Sequence, residues 1–238
     1  MNLAQKLAIT TVGMAFFTGI KISSAKAVTF TVDPSITFEV VDGGGEGLFD
    51  GNGDTVFPGN FDVSAKGPFG EASEIAEFNI TEFFIPPQET ITNAIFQVNS
   101  TGNPSFGGSI GDTNGRAPTS LLVQGFIGNG QVDASDFQAG TILDTVNVFQ
   151  NFGPETFNFN VTSFVQSLLN NNNSFAGFNV RASDIGAISF FREGVQGPKL
   201  IITTSTVTTS VPEPSFGLGI LAFSALTFIS RCLKLKRN

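Results

Sequence analysis

The chain has 238 residues, with 27 phenylalanines, one cysteine (Cys232) and no histidine, tryptophan or tyrosine. Those gaps remove Ser-His-Asp and Cys-His nucleophiles, most zinc sites, and any disulfide within the body of the protein. All 20 acidic residues lie between Asp33 and Glu213, where only Lys66, Arg116, Arg181, Arg192 and Lys199 are basic, a formal charge of −15 that excludes binding nucleic acid through its phosphates.

At the amino end Lys6 precedes an uncharged, mostly apolar run from Leu7 to Ile20, and then comes "KISSAKA". Fourteen residues are short for a membrane span, which needs about 20. Small residues at Ala25 and Ala27 suit signal peptidase, so residues 1–27 read as a signal peptide cleaved before Val28. A single anchor or a buried helix is the alternative.

The body alternates apolar and polar residues in short runs. "VTFTVDPSITFEVVD" predicts one or two strands, and the Gly- and Asp-rich "DGGGEGLFDGNGDTVF" predicts a loop. "SEIAEFNI" sets Ala76, Phe78 and Ile80 on one face and Glu77 and Asn79 on the other, a half-buried strand; "ITNAIFQV" repeats the pattern through Ala94, Phe96 and Val98. Strands are predicted at Ser120 to Phe126, Leu143 to Phe149 and Thr156 to Val161. Val161, Phe164, Val165, Leu168 and Leu169 then fall at helical spacing, one stripe of a short helix. Thr162 or Asn160 is placed to cap it, and the asparagines from Asn170 to Asn173 suit a left-handed exit. "FAGFNVR", "AISFFR" and "KLIITT" supply the last strands, and most phenylalanines should lie inside. Many short strands, Gly and Asn turns and one helix describe a mainly β fold, a single jelly-roll-like β-sandwich over residues 28–204. Residues 205–211 read as a polar stalk.

Two loops carry acidic clusters. In the first, Asp50, Asn52 and Asp54 alternate with glycines, and Asp42 and Glu46 lie nearby, an oxygen-rich set suited to Ca²⁺. An EF-hand would need glycine at Thr55 and glutamate at Phe61, so that motif fails, and an ordinary Gly-Asp-Asn turn is the alternative. "GNGQVDASDFQAG" places Asp133 and Asp136 near each other around a turn, and its "ASDF" is readable as one helical turn capped by Ser135, with a turn capped by its own side chains as the alternative to a site. No carboxylate pair is marked out as a glycosidase pair, and the Trp and Tyr platforms usual in sugar-cleaving clefts are missing. The expectation is therefore not an enzyme, with no cofactor required and Ca²⁺ as the candidate cation.

The chain closes with "VPEPSFGLGILAFSALTFISRCLKLKRN". Pro212 and Pro214 hold the backbone extended around Glu213. The apolar segment 216–230 is long enough, with its flanks, to span a bilayer, and Arg231, Lys234, Lys236 and Arg237 form a stop-transfer tail on the cytoplasmic side. Cys232 lies in that tail as an idle thiol or a lipidation site. Residues 212–238 resemble the PEP-CTERM sorting signal: Pro-Glu-Pro box, transmembrane helix, basic tail. The resemblance implies an exosortase-like enzyme that recognises Pro212, Glu213 and Pro214 and removes the tail. A plain anchor with a proline hinge is the alternative.

A second resemblance covers residues 71–204. "EIAEFNITEFFIPPQETITNAIFQV", "FNFNVTSFVQSLLNNNNSFAGFNVRA" and "GPKLIIT" are similar, in that order, to phrases of the DNRLRE domain, with Val180-Arg181 at its Leu-Arg position and Thr203-Thr204 ending a strand that usually bears tyrosine. It implies a sandwich like those of carbohydrate-binding modules in exported surface proteins. Together these readings lead to one expectation: a non-enzymatic protein of the cell surface or exopolysaccharide matrix, structural or adhesive. It is exported with signal peptidase and an exosortase-like enzyme as partners and is anchored transiently in the membrane. A glycan- or calcium-binding module is the first alternative, a polysaccharide hydrolase the weaker one.

Overall fold

The computed structural model describes residues 27–43, 49–61, 63–81, 83, 85, 89–102, 116–149 and 154–206. The expected signal and transmembrane helices, Ala25, Glu46, Pro212 to Pro214 and the basic tail with Cys232 lie outside the described residues. The described strands are β1 (Ala27–Val32), β2 (Ile36–Gly43), β3 (Thr55–Pro58), β4 (Val63–Lys66), β5 (Gly70–Asn79), β6 (Glu89–Asn99), β7 (Ser120–Gly128), β8 (Thr141–Asn147), β9 (Thr156–Asn160), β10 (Phe175–Ala182), β11 (Gly186–Ser189) and β12 (Lys199–Thr206). Among the described residues the α-helix is α1, Thr162–Asn170, and no helix is long and apolar enough to cross a membrane.

The strands form two open, antiparallel sheets. One runs β1-β12-β6-β9; the other runs β11-β4-β5-β10-β7-β8, with β2 paired to β5 and β3 paired to β2. β2 occupies one edge of β5 from Gly70 to Glu77, so β10 and β4 share its other edge end to end. Side chains from both sheets meet in one core. Phe78 and Phe178 come from the larger sheet and Phe96 and Phe159 from the smaller, all fully buried. Phe96 stacks on Phe178 with ring centroids 4.7 Å apart and planes 13° apart, while Phe78 meets both edge-on at 5.8 Å. Each buried ring contributes about 2–3 kcal/mol by removal from water. Ten phenylalanines are buried among the described residues, against four exposed ones (Phe49, Phe57, Phe69 and Phe149), so the expected inward bias holds there.

α1 follows its stripe: Val161, Val165 and Leu168 are buried, with Phe164 and Leu169 packed against the same core. Asn160 Oδ1 accepts from the Thr162 N–H at 3.1 Å, and Thr162 Oγ1 accepts from the Ala94 N–H at 2.9 Å, which ties the helix start to β6. Asn172 takes the left-handed conformation at φ 56°, so the asparagine run does end the helix.

The structure departs from expectation in several places. β5 is buried on both faces: Glu74 lies on the inner face with Ala76 and Phe78, and Glu71, Ser73 and Glu77 are shielded because residues 49–54 and 129–140 lie over the outer face of its sheet. A half-buried β5 with a wet Glu77 is thus corrected. β3 forms inside the stretch expected as loop, recruited by β2, and β4 forms where no strand was expected. "AISFFR" is strand only at its start, then a single bridge from Phe190 to Ser100. β12 continues to Thr206, two residues into the expected stalk, because β1 and β6 pair with it there.

Candidate functional site

The first acidic loop folds back on β2 through its own carboxylates. Asp42 Oδ2 accepts from the Gly51 N–H at 2.9 Å, Asp54 Oδ2 from the Gly43 N–H at 2.8 Å, and Asp50 Oδ1 from the Asn52 N–H at 2.9 Å. Asp54 closes the return by donating its N–H to the Val41 carbonyl at 2.8 Å. Asp42 is fully buried and its Oδ1 has no partner. Burial pushes its carboxyl up; the Gly51 and Asp50 N–H groups oppose that, and the charges of Asp54 and Asp50 add to it. Among the described residues no three acidic or cysteine side chains gather as a metal-holding group, and Glu46 lies outside them. The loop's carboxylates therefore act in the described structure as turn builders.

The second loop covers the outer face of β5 and β10. Its Ala134–Phe137 segment is a single 3-10 turn whose cap is Asp133, accepting from the Ser135 N–H at 2.9 Å, rather than Ser135 itself. The carboxylate is the better acceptor for an N-terminal N–H, and these bonds hold the Asp133 carboxyl below its ordinary range. Phe137, fully buried, packs with Phe38, Val40, Ile75 and Phe126 into a second, outer core. Gly53 has no room for a side chain: a Cβ would sit 2.3 Å from Val40 Cγ1 and 2.9 Å from the Ala134 carbonyl, so the two acidic loops pack on each other here.

Beneath the second loop lie charged groups. Arg181 Nε and Nη2 donate to Glu71 Oε1 and Oε2 at 2.6 and 2.9 Å, and its guanidinium carbon lies 4.6 Å from the Phe137 ring centroid. Asn179 Nδ2 donates to the Phe137 carbonyl at 2.9 Å and the Asp136 carbonyl at 3.3 Å. Glu77 Oε2 accepts from the Gly130 N–H at 2.7 Å. A Cβ on Gly128 would lie 2.7 Å from the same Oε2, so only glycine leaves space for that carboxylate.

A groove of about 640 Å³ opens where α1 ends. Ile80, Phe83, Ile85, Ile91 and Leu169 give it an apolar floor; Gln166, Asn170, Asn172, Asn173 and Glu89 give it a polar rim. Gln166 Nε2 donates to the Ile91 carbonyl at 2.8 Å, which fixes its amide plane. Glu89 Oε2 accepts from Thr204 Oγ1 at 2.5 Å, and the Phe83 ring meets Phe30 edge-on at 6.2 Å. An apolar floor beneath amide and carboxylate groups matches the two sides of a sugar ring, its C–H face and its hydroxyls.

Of the residues singled out in the sequence, the structure gathers Asp42, Asp50, Asn52 and Asp54 at one loop and places Ala27 and Val28 at the start of β1. Gln166, Glu89 and Phe83 were not singled out; the asparagine run, read only as a helix exit, was the available signal for the rim. No family model and no curated protein matches the chain.

Proposed function

We propose that this chain is an exported, non-enzymatic protein of the cell surface or exopolysaccharide matrix, and that it adheres to glycan through the groove at the end of α1. The supporting observation is that groove of about 640 Å³, with phenylalanine and isoleucine below and four amides around it. In this reading the two open sheets are a jelly-roll-like β-sandwich of the DNRLRE kind. Residues 1–27 direct export, and an exosortase-like enzyme removes the tail beyond Pro212, Glu213 and Pro214.

The test is retention of the full chain with its native exopolysaccharide. Wild type should cosediment with washed polymer, and the variant Asn170→Ala should pass into the medium while melting at the same temperature. Equal retention of both sinks the groove reading. Intact mass of the retained protein should begin at Val28 and end near the Pro-Glu-Pro box; an intact C-terminus in the membrane fraction sinks the sorting reading.

A further inference from the structure

Three oxygen atoms under the second loop have no hydrogen-bond partner although their residues are buried: Glu77 Oε1, Asp136 Oδ2 and Asn179 Oδ1. Glu77 and Asn179 are fully buried and Asp136 is 7 % exposed. Such atoms each carry an uncompensated desolvation cost unless something occupies the space between them.

Strand register and two hydrogen bonds set the three residues side by side. Glu77 stands opposite Gly177 on β10, and Asn179 opposite Ile75, so Glu77 and Asn179 are diagonal neighbours on the outer face of one strand pair. The 3-10 turn is pinned over them by the two bonds from Asn179 Nδ2 to the Asp136 and Phe137 carbonyls. That amide orientation turns Oδ1 away from those carbonyls and leaves it as a free acceptor. Burial first, and then the charges of Glu77 and Asp133, raise the Asp136 carboxyl. The other Glu77 oxygen is already fixed by the Gly130 N–H, so its carboxylate cannot swing out to water.

We propose that Glu77, Asp136 and Asn179 form a buried site for a hard divalent cation, Ca²⁺ being the class it fits, which locks the 129–140 loop onto the sheet. All three free atoms are oxygens, two of them carboxylate oxygens whose combined charge matches a divalent ion. Ca²⁺ accepts such mixed carboxylate and amide sets, with carbonyls or water completing six to eight ligands. The site is separate from the loop of Asp42, Asp50 and Asp54, and it goes beyond the glycan reading, which does not depend on it. A cation here also explains why a carboxylate pair is kept under a phenylalanine-rich cover: bridging replaces like-charge repulsion with two charge-neutralising contacts.

The experiment uses the full chain in mild detergent, stripped with EDTA and titrated with Ca²⁺ at pH 7.5, followed by calorimetry and thermal unfolding. Wild type should bind one equivalent and, at Ca²⁺ about 100-fold above the dissociation constant, melt roughly 5–10 °C higher. Asp136→Asn and Glu77→Gln should each lose the Ca²⁺-dependent shift, whereas Asp50→Asn should keep it. Asp136→Asn should also melt higher than stripped wild type, since it removes the repulsion; that gain separates a folded, site-less variant from a damaged one. Competition with protons gives a readout on wild type alone: affinity should fall as pH falls, because both carboxylates must be free of protons to bind the ion. Absence of any Ca²⁺-dependent shift in wild type overturns the proposal in favour of a proton shared between Glu77 and Asp136. Loss of the shift in Asp50→Asn but not in Asp136→Asn overturns it in favour of the first loop.

Discussion

Replacing Arg181 with methionine should destabilise the protein far more than replacing its partner Glu71 with glutamine. The asymmetry comes from exposure. The Glu71 side chain is 3 % exposed and the Arg181 side chain 20 %. In Arg181→Met the Glu71 carboxylate stays buried, with only Lys66 Nζ, 3.9 Å away and itself 36 % exposed, to offset its charge. Breaking a buried pair from this side costs about 3–5 kcal/mol, and Lys66 brings the expected value toward about 3. The lost contact with the Phe137 ring accounts for about 1 kcal/mol of it. In Glu71→Gln the guanidinium keeps an amide oxygen to bond and reaches solvent, and Gln124 Oε1 still accepts from Nη1 at 3.2 Å; the cost should be about 1–2 kcal/mol. The double variant Arg181→Met/Glu71→Leu has no charge left to bury and should recover roughly 2 kcal/mol relative to Arg181→Met alone. Urea unfolding of the full chain followed by far-ultraviolet circular dichroism measures all three, since without Trp or Tyr there is no useful fluorescence. A double variant no more stable than Arg181→Met would refute the argument, because the Glu71 charge would then cost nothing to leave unpaired.

Phe96→Ala removes the ring that stacks on Phe178 between the two sheets and should cost about 3–5 kcal/mol, read as a fall in the urea midpoint; a loss under about 1.5 kcal/mol would mean that the sheets close over the cavity. In the calcium-free protein, stability should fall as pH rises from about 4 to 7. Burial first, then the charges of Glu77 and Asp133, push the Asp136 carboxyl up to about 7 from an ordinary 3.8, so in that window the folded chain holds a proton that the unfolded chain has released. The stabilisation is complete below the unfolded value and gone above the folded one, a drop of at most about 4 kcal/mol. Urea midpoints at pH 4.5 and 7.5 should show the drop in wild type and a flatter profile in Asp136→Asn; equal slopes would exclude Asp136 as its source.

What could be read from the sequence was whatever repeats locally. Ala94, Phe96 and Val98 alternate with polar neighbours, and β6 buries that face as a period of two requires. Val161, Val165 and Leu168 recur at helical spacing, and α1 turns them inward. Illegible were the features whose cause lies far along the chain. The polar face of β5 looks like a solvent face until residues 129–140 are laid over it, and nothing near Glu77 announces that cover. β3 and β4 are four residues each amid glycine and proline, too short to show a period, and they exist because β2 and β5 offer open edges. The groove needs Ile80, Phe83, Ile85 and Ile91 beside Gln166, Leu169 and Asn173, a contact no local pattern encodes.

β1 and β12 join the proposed delivery of the protein to its proposed adhesion. Ala27 pairs with Ser205 and Val32 with Leu200, so the chain enters and leaves this domain on adjacent rungs of one ladder. The proposed cleavage before Val28 would take away only the Ala27–Ser205 rung of the described ladder, and the proposed loss of the tail beyond Pro212 to Pro214 would leave its described rungs intact. Both terminal strands also support the groove. Phe30 of β1 braces Phe83 of the floor, and Thr204 of β12 donates to Glu89 of the rim. A pull on the carboxyl end therefore loads β12 in shear between β1 and β6, where many backbone bonds resist together. The same ladder carries that load to the groove, because Glu89, Thr90 and Ile91 of its lining pair with Thr206, Ser205 and Thr204, and the Thr204–Glu89 side-chain bond adds to it. Were the proposed adhesion to act through this groove, the β6–β12 ladder together with the Glu89–Thr204 bond would couple tension on the carboxyl end of β12 to the groove.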